Sequence, residues 1–257
     1  MAVPDSGNPT DIANASPSPG AWVDRYWNVP AGDTTVSINK YMIGIHNADA
    51  GATKRGLVMQ EATRKKLYVD KKAFNRASMG KVSPDDCEHI LNLALETGKA
   101  TEDTIQAWAD QSLGVDCTGF VVAYYSELER ISLDKYSGGA SCPFLVGAAK
   151  KGKPPGLASA LIWDFDEVRT GDMVVWMTDQ LLETRKPGHI ALVSYNNVVP
   201  DALLIAHSNG ANDGSGHFGP KHGRLGWDEV KTGANGKYIQ VDSTGKVIIV
   251  RPPAWIP

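Results

Sequence analysis

Cysteine is scarce in this chain: three in 257 residues, Cys87, Cys117 and Cys142, with no CxxC pair. So sparse and odd a set makes no disulfide framework and leaves at least one free thiol. Long apolar runs are missing too, so no segment reads as a membrane span. Met1 to Gly20 has neither the basic start nor the apolar stretch of a secretory signal peptide; rich in Pro, Ser, Asn, Gly and Asp, it reads as a flexible leader. There is no excess of positive charge. Lys and Arg number 26 against 29 Asp and Glu, a net charge of -3, which gives no ground for nucleic-acid binding through bulk electrostatics. Metal-ligand clusters are lacking as well: Cys87 and His89 do not share a helix face, and His217 and His222 have no carboxylate or cysteine partner at useful spacing. No metal or other cofactor is expected. What remains is a chain with 42% apolar residues, ordinary for a folded protein, long enough for one large domain or one domain with an extension.

The stretch that carries chemistry is Gly114-Val115-Asp116-Cys117-Thr118-Gly119-Phe120-Val121. Asp116 and Thr118 are helix-entry residues, and Phe120, Val121, Tyr124, Tyr125 and Leu128 repeat at helical spacing. Cys117 is thereby expected in the first turn of a buried helix. Unpaired backbone N–H groups and the positive end of the helix dipole favour a thiolate at such a place. Downstream come three turn-then-strand patterns. Arg169-Thr170-Gly171-Asp172 leads into Met173 to Met177, Pro187-Gly188 leads into His189 to Val193, and a further strand over Ala202 to Ala206 ends at His207-Ser208. Strands are also expected at Tyr238 to Val241 and Val247 to Val250, with Asn235-Gly236 and Ser243-Thr244-Gly245 as turns.

A cysteine on a helix, a histidine opening a strand and a polar residue on the next strand, in that order, resembles the NlpC-type family of papain-like cysteine peptidases, which cut the peptide stems of bacterial peptidoglycan. The matching pieces are Asp116-Cys117-Thr118-Gly119-Phe120-Val121, Gly171-Asp172, Gly188-His189-Ile190-Ala191-Leu192-Val193 and His207-Ser208, within residues 110 to 210. The resemblance implies an α+β, papain-like fold with a helical N-terminal half and an antiparallel sheet in the C-terminal half. It implies Cys117 as nucleophile, His189 as general base and His207 as the group that orients it, with Ser208 or Asn209 as alternatives for the third place. The backbone N–H of Cys117 is the expected oxyanion donor, while Asp116 and Asp172 are given structural jobs. The implied substrate and partner is the peptidoglycan stem peptide, with a secretion machine or an immunity protein as further partners. A chain without a signal peptide would then reach the periplasm or cell wall by non-classical delivery, as an antibacterial effector or a phage lytic enzyme. Two other readings stand beside it: an intracellular papain-like thiol enzyme (deamidase or acyltransferase), and a non-catalytic binding module on the same fold.

Outside the motif, Ser83-Pro84-Asp85-Asp86 starts a helix through Ile90, Leu91, Leu93, Ala94 and Leu95, closed by Gly98. A second short helix follows Thr101 through Ile105, Trp108 and Ala109. Gln111, six residues before Cys117, is a weak oxyanion candidate whose simpler reading is a solvent-facing helix end. Residues 21–82 are an N-terminal extension whose structure the pattern does not give. Val36 to Ile45 suggests a strand there, His46 has no assignable role, and the basic run from Arg55 to Lys81 reads as a solvated face or, as the minority view, a docking surface. Residues 83–257 are taken as the peptidase domain. Within it Ile131 to Leu161 is expected to be a long loop serving as groove wall or lid, with a short helix at Pro143 to Ala149, and Ala211 to Gly226 is expected to be loop.

Overall fold

The computed structural model describes residues 17–42, 50–128, 161–177, 189–199, 201–211, 218–234 and 236–251. Most of the expected leader, most of the Ile131–Leu161 loop with its short helix, and His46, Cys142 and His217 lie outside the described residues. The chain divides into two compact units. One, the helical unit, comprises Ala21–Tyr124 and Ala206–His222; the other comprises Met1–Gly20, Tyr125–Ile205 and Gly223–Pro257.

The helical unit begins with α1 (Pro19–Trp27), then the hairpin β1 (Val29–Ala31) and β2 (Thr34–Val36), turned at Gly32, whose φ is +58°. Of the expected strand over Val36 to Ile45, only Val36 is strand among the described residues; residues 37–42 are irregular chain, held by Ile38 N–H donating to the Tyr26 carbonyl at 2.8 Å, and residues 43–45 lie outside the described residues. Next come α2 (Ala50–Arg64) and α3 (Lys71–Ser78). The end of α2 is closed by Leu67 N–H on the Ala62 carbonyl and Lys66 N–H on the Thr63 carbonyl, a Schellman closure with Lys66 at φ +60°. Glycine normally fills that left-handed place, and a side chain there costs about 1–2 kcal/mol. Asp70 caps α3 by accepting from Lys72 N–H, and the first turn then carries Lys71 and Lys72 with no acid, against the helix dipole.

α4 (Pro84–Glu96) forms as its sequence signals ask. Ser83 and Asp86 make a reciprocal capping box, Pro84 occupies the first turn, and Ile90, Leu91, Leu93 and Ala94 are buried. α5 (Ile105–Ser112) starts one turn later than Thr101, because residues 102–104 form a turn. α6 (Cys117–Glu127) is apolar on all sides; Phe120 packs on Tyr26 and Tyr124 on Trp22, with ring centroids 5.7 and 5.9 Å apart. The unit is completed by residues 206–222, where Trp27 Nε1 donates to the Pro220 carbonyl and Phe218 N–H to the Asn39 carbonyl.

The second unit holds most of a sheet of β3 (Leu161–Ile162), β4 (Met173–Trp176), β5 (His189–Val199), β6 (Ala202–Ser208), β7 (Pro220–Gly233), β8 (Gly236–Val241) and β9 (Gly245–Val250), the end of β6 and the start of β7 being counted with the helical unit. The expectation of an α+β papain-like fold fails here. The order is β3-β9-β4-β5-β6-β7-β8, and β8 also pairs with β9, so six strands close into an antiparallel barrel. The cause is visible along β9. Its residues Val247 to Val250 pair with β4 on one edge, while on the other β8 holds Gly245 to Val247 and β3 takes over at Ile249 and Val250. β7 is the strand that sequence reasoning assigned to loop as far as Gly226. Beyond Lys221 its only buried residue is Leu225, so it carries no apolar run to announce it. Ile162, Val174, Ala191, Val193, Leu203, Ile205, Leu225, Ile239, Val241, Val247 and Ile249 fill the barrel. Asp172, in the turn before β4, is buried and held by Arg251 through two bonds of 3.0 Å and by Arg169 N–H at 2.8 Å, the structural job expected of it. Burial pushes its carboxyl up while Arg251 holds it down.

Candidate active site

Three hydrogen bonds to the backbone just before it position Cys117. Val115 N–H donates to the Lys40 carbonyl at 3.0 Å, Asp116 N–H to the Gly80 carbonyl at 2.9 Å, and Ser208 Oγ to the Val115 carbonyl at 2.6 Å. The chain is thereby fixed on three sides immediately before α6 starts. Asp116 then caps the helix, accepting from Gly119 N–H, while both its oxygens take Lys81 Nζ at 2.7 Å. Burial pushes the Asp116 carboxyl up, and the Lys81 ammonium and the Gly119 N–H oppose it. This bears out its structural role at the helix entrance. Gly119 lies flat on the 80–81 backbone: a Cβ there would fall well inside contact distance of the Gly80 carbonyl oxygen and 2.9 Å from Lys81 Cα.

Cys117 is the first residue of α6 and is 8% exposed. The Tyr41 hydroxyl donates to its Sγ at 3.5 Å, and Thr118 Oγ1 stands 3.9 Å from the sulfur. Tyr41 is half-buried, and burial, with Cys117 beside it, pushes its phenol well up. It stays protonated at ordinary pH and meets the sulfur as a donor. The Tyr41 ring also stands against Gly210, where any Cβ would lie 3.0 Å from Cδ1. The sequence pattern gave Tyr41 no role at the site and offered Lys81 only as the end of a basic run. Neither has a signal in local spacing, since each reaches the site from far along the chain.

No protein-family model, curated protein or solved structure matches this chain. The site therefore stands on its own residues.

His207 is buried at the penultimate position of strand β6, next to Ser208, and shares the helical unit with Cys117. Of the alternatives for the third place, Ser208 gives its hydroxyl to the Val115 carbonyl, and Asn209 Oδ1 accepts from Ala211 N–H in a local turn. Both side chains hold backbone. His189 belongs to the barrel unit, opens β5 opposite Trp176 and is half-buried; its ring centroid lies 5.1 Å from that of Trp176. Gln111 is exposed at the end of α5 and accepts from Lys54, as the simpler reading had it. His222 stands edge-on to Trp27 with Nε2 3.4 Å from Asp24 Oδ1. Among the described residues no group of three or more His, Cys, Asp or Glu could hold a metal, and no helix is long and apolar enough to cross a membrane.

Cys87 offers a contrast. It is fully buried in α4, and burial, with Asp86 and Asp85 adding, pushes its thiol well up. Iodoacetamide applied to the native protein should modify Cys117 and spare Cys87, which should react only in denaturant; peptide mapping by mass reads the outcome. Native labelling of Cys87 ahead of Cys117 would reverse the assignment of the reactive thiol.

Proposed function

We propose that this protein is a cysteine hydrolase that cleaves an amide bond in the peptide stem of bacterial peptidoglycan, acting in the periplasm or at the cell wall. The observation that carries the reading is the setting of Cys117: first residue of a buried helix, capped by Asp116, with the Tyr41 hydroxyl on its sulfur. The reading rests on this residue set and its motif resemblance to NlpC-type enzymes, and not on the fold, since one chemistry recurs on unrelated folds.

In this mechanism His189 takes the proton of the Cys117 thiol, and the sulfur attacks the carbonyl carbon of the amide. The developing oxyanion is met by the Cys117 N–H, at the first residue of α6. His189 returns its proton to the amine nitrogen as the C–N bond breaks, leaving a thioester on Cys117. Water, deprotonated by the same imidazole, then releases the acyl group as a carboxylate and restores the thiol. His207 fixes the tautomer of His189. Ser208 and Asn209, the alternatives for that place, each have a side-chain oxygen bonded to backbone.

Purified sacculi incubated with the protein should release fragments whose masses each show one water added across a stem-peptide amide. Fused to a periplasmic signal, wild type should lyse a Gram-negative host, while the Cys117→Ala form should not. Intact sacculi, with toxicity arising instead from cytoplasmic wild type, would transfer the function to an intracellular deamidase or acyltransferase.

A further inference from the structure

The corner between α2 and α3 reads Arg64-Lys65-Lys66-Leu67-Tyr68-Val69-Asp70-Lys71-Lys72, five cations and one acid in a chain whose net charge is -3. All five cations are exposed. Arg64 is neutralised by Glu61, and Asp70 is turned inward to cap α3, with Arg76 at 4.0 Å. Lys65 donates to a carbonyl, that of Glu96, with no carboxylate in ion-pair contact among the described residues. Among the described residues no carboxylate pairs with Lys66, Lys71 or Lys72. In the middle of this group Tyr68 is 80% exposed.

A solvated face would account for lysines at neutral positions. It does not account for these. Lys66 occupies a left-handed residue that calls for glycine, and Lys71 and Lys72 occupy a helix first turn that calls for acids. Three of the four lysines thus stand where local energetics disfavours them, and such conflicts concentrate at functional surfaces.

We propose that this corner docks the enzyme on polyanionic peptidoglycan, the free carboxylates of the stem peptides pairing with Lys65, Lys66, Lys71 and Lys72 while the Tyr68 ring covers an apolar face of a sugar. This rests on the wall-directed reading above. It adds the means by which a chain of net negative charge is held on a negatively charged substrate. Exposed pairs of this kind are screened over a Debye length of about 8 Å at physiological ionic strength, so docking weakens with salt.

The test is pelleting with intact teichoic-acid-free sacculi, using the full-length Cys117→Ala protein so that binding is read without turnover. Lys66→Gly should weaken retention roughly fivefold, and the double change Lys71→Glu with Lys72→Glu at least about 25-fold, by the usual effect of single surface lysines at an anionic surface. The same changes remove local strain, so the melting temperature should stay level or rise by about 1–4 °C. Retention lost while stability is kept or gained is a combination that a purely structural role does not produce. In the otherwise wild-type chain the variants should slow digestion of sacculi and leave cleavage of a soluble disaccharide-peptide fragment unchanged. Equal retention of parent and variants would overturn the proposal, as would retention by polyphosphate beads with none on sacculi. Lysine-dependent pelleting with no turnover of either substrate by wild type would keep the docking surface and sink the hydrolase.

Discussion

Cys117→Ala is expected to abolish hydrolysis of sacculi, by a factor on the order of 10⁴ or more, and to leave the melting temperature within about 2 °C of wild type. The size of the loss follows from chemistry: without sulfur there is no thioester, and the route through an acyl-enzyme disappears. The mild structural effect follows from what the sulfur does not do. Asp116, not Cys117, caps α6, and the backbone before the helix is held by Lys40, Gly80 and Ser208. Removing Sγ leaves the Tyr41 hydroxyl without that partner but breaks no backbone contact. His189→Ala should fall as far, since the base serves in both halves of the cycle. His207→Ala should fall less, by about 10- to 100-fold, because water or a neighbour partly replaces an orienting group. Fragment release followed by mass, beside thermal unfolding of each variant, reads all three. Full activity in the Cys117→Ala protein would end the assignment.

Gly119→Ala should destabilise the protein by about 3 kcal/mol or more, a drop of roughly 6–12 °C in melting temperature for a chain of this size. The new methyl would press on the Gly80 carbonyl and on Lys81 Cα, backbone atoms with no side-chain freedom to retreat. Moving α6 away is not a cheap response. The Asp116 N–H is bonded to that same Gly80 carbonyl, and the Asp116 carboxylate to Lys81. Relief of the clash therefore strains the cap that positions Cys117, and activity should fall together with stability. Thermal unfolding of Gly119→Ala beside wild type reads it; an unchanged midpoint would mean that the helix does not lie on the 80–81 segment.

Local chemistry was legible in the sequence wherever one segment determines its own shape. The Ser83–Asp86 capping box, the Asp116 cap and the apolar runs of β4, β5 and β9 were readable in this way. What was not legible depends on partners far along the chain. Closure of the barrel needs β7, and β7 is polar for most of its length, with a bulge between Trp227 and Glu229 that breaks any alternation. A papain-like antiparallel sheet was the natural reading of the strands that do announce themselves. Residues 21–82 resisted for a related reason. Trp22 and Tyr26 are core residues because α6 supplies Tyr124 and Phe120 to meet them, and no short window of sequence contains both sides of that contact. At the site, the helix and its cysteine could be placed from sequence, whereas the phenol facing the sulfur could not.

The division of the chain bears on how the protein comes into being. The unit that holds the thiol is interrupted: Ala21–Tyr124 is joined only much later by Ala206–His222, which brings Ser208 to the Val115 carbonyl and Phe218 to that of Asn39. On a ribosome, the cysteine emerges long before the segment that fixes its surroundings, and the barrel ring waits longer still for β9. Contacts this distant in sequence make for slow, late-committing assembly. A nascent or truncated chain therefore carries an unarmed thiol, and no single cut of the polypeptide separates the two units into contiguous, self-sufficient pieces.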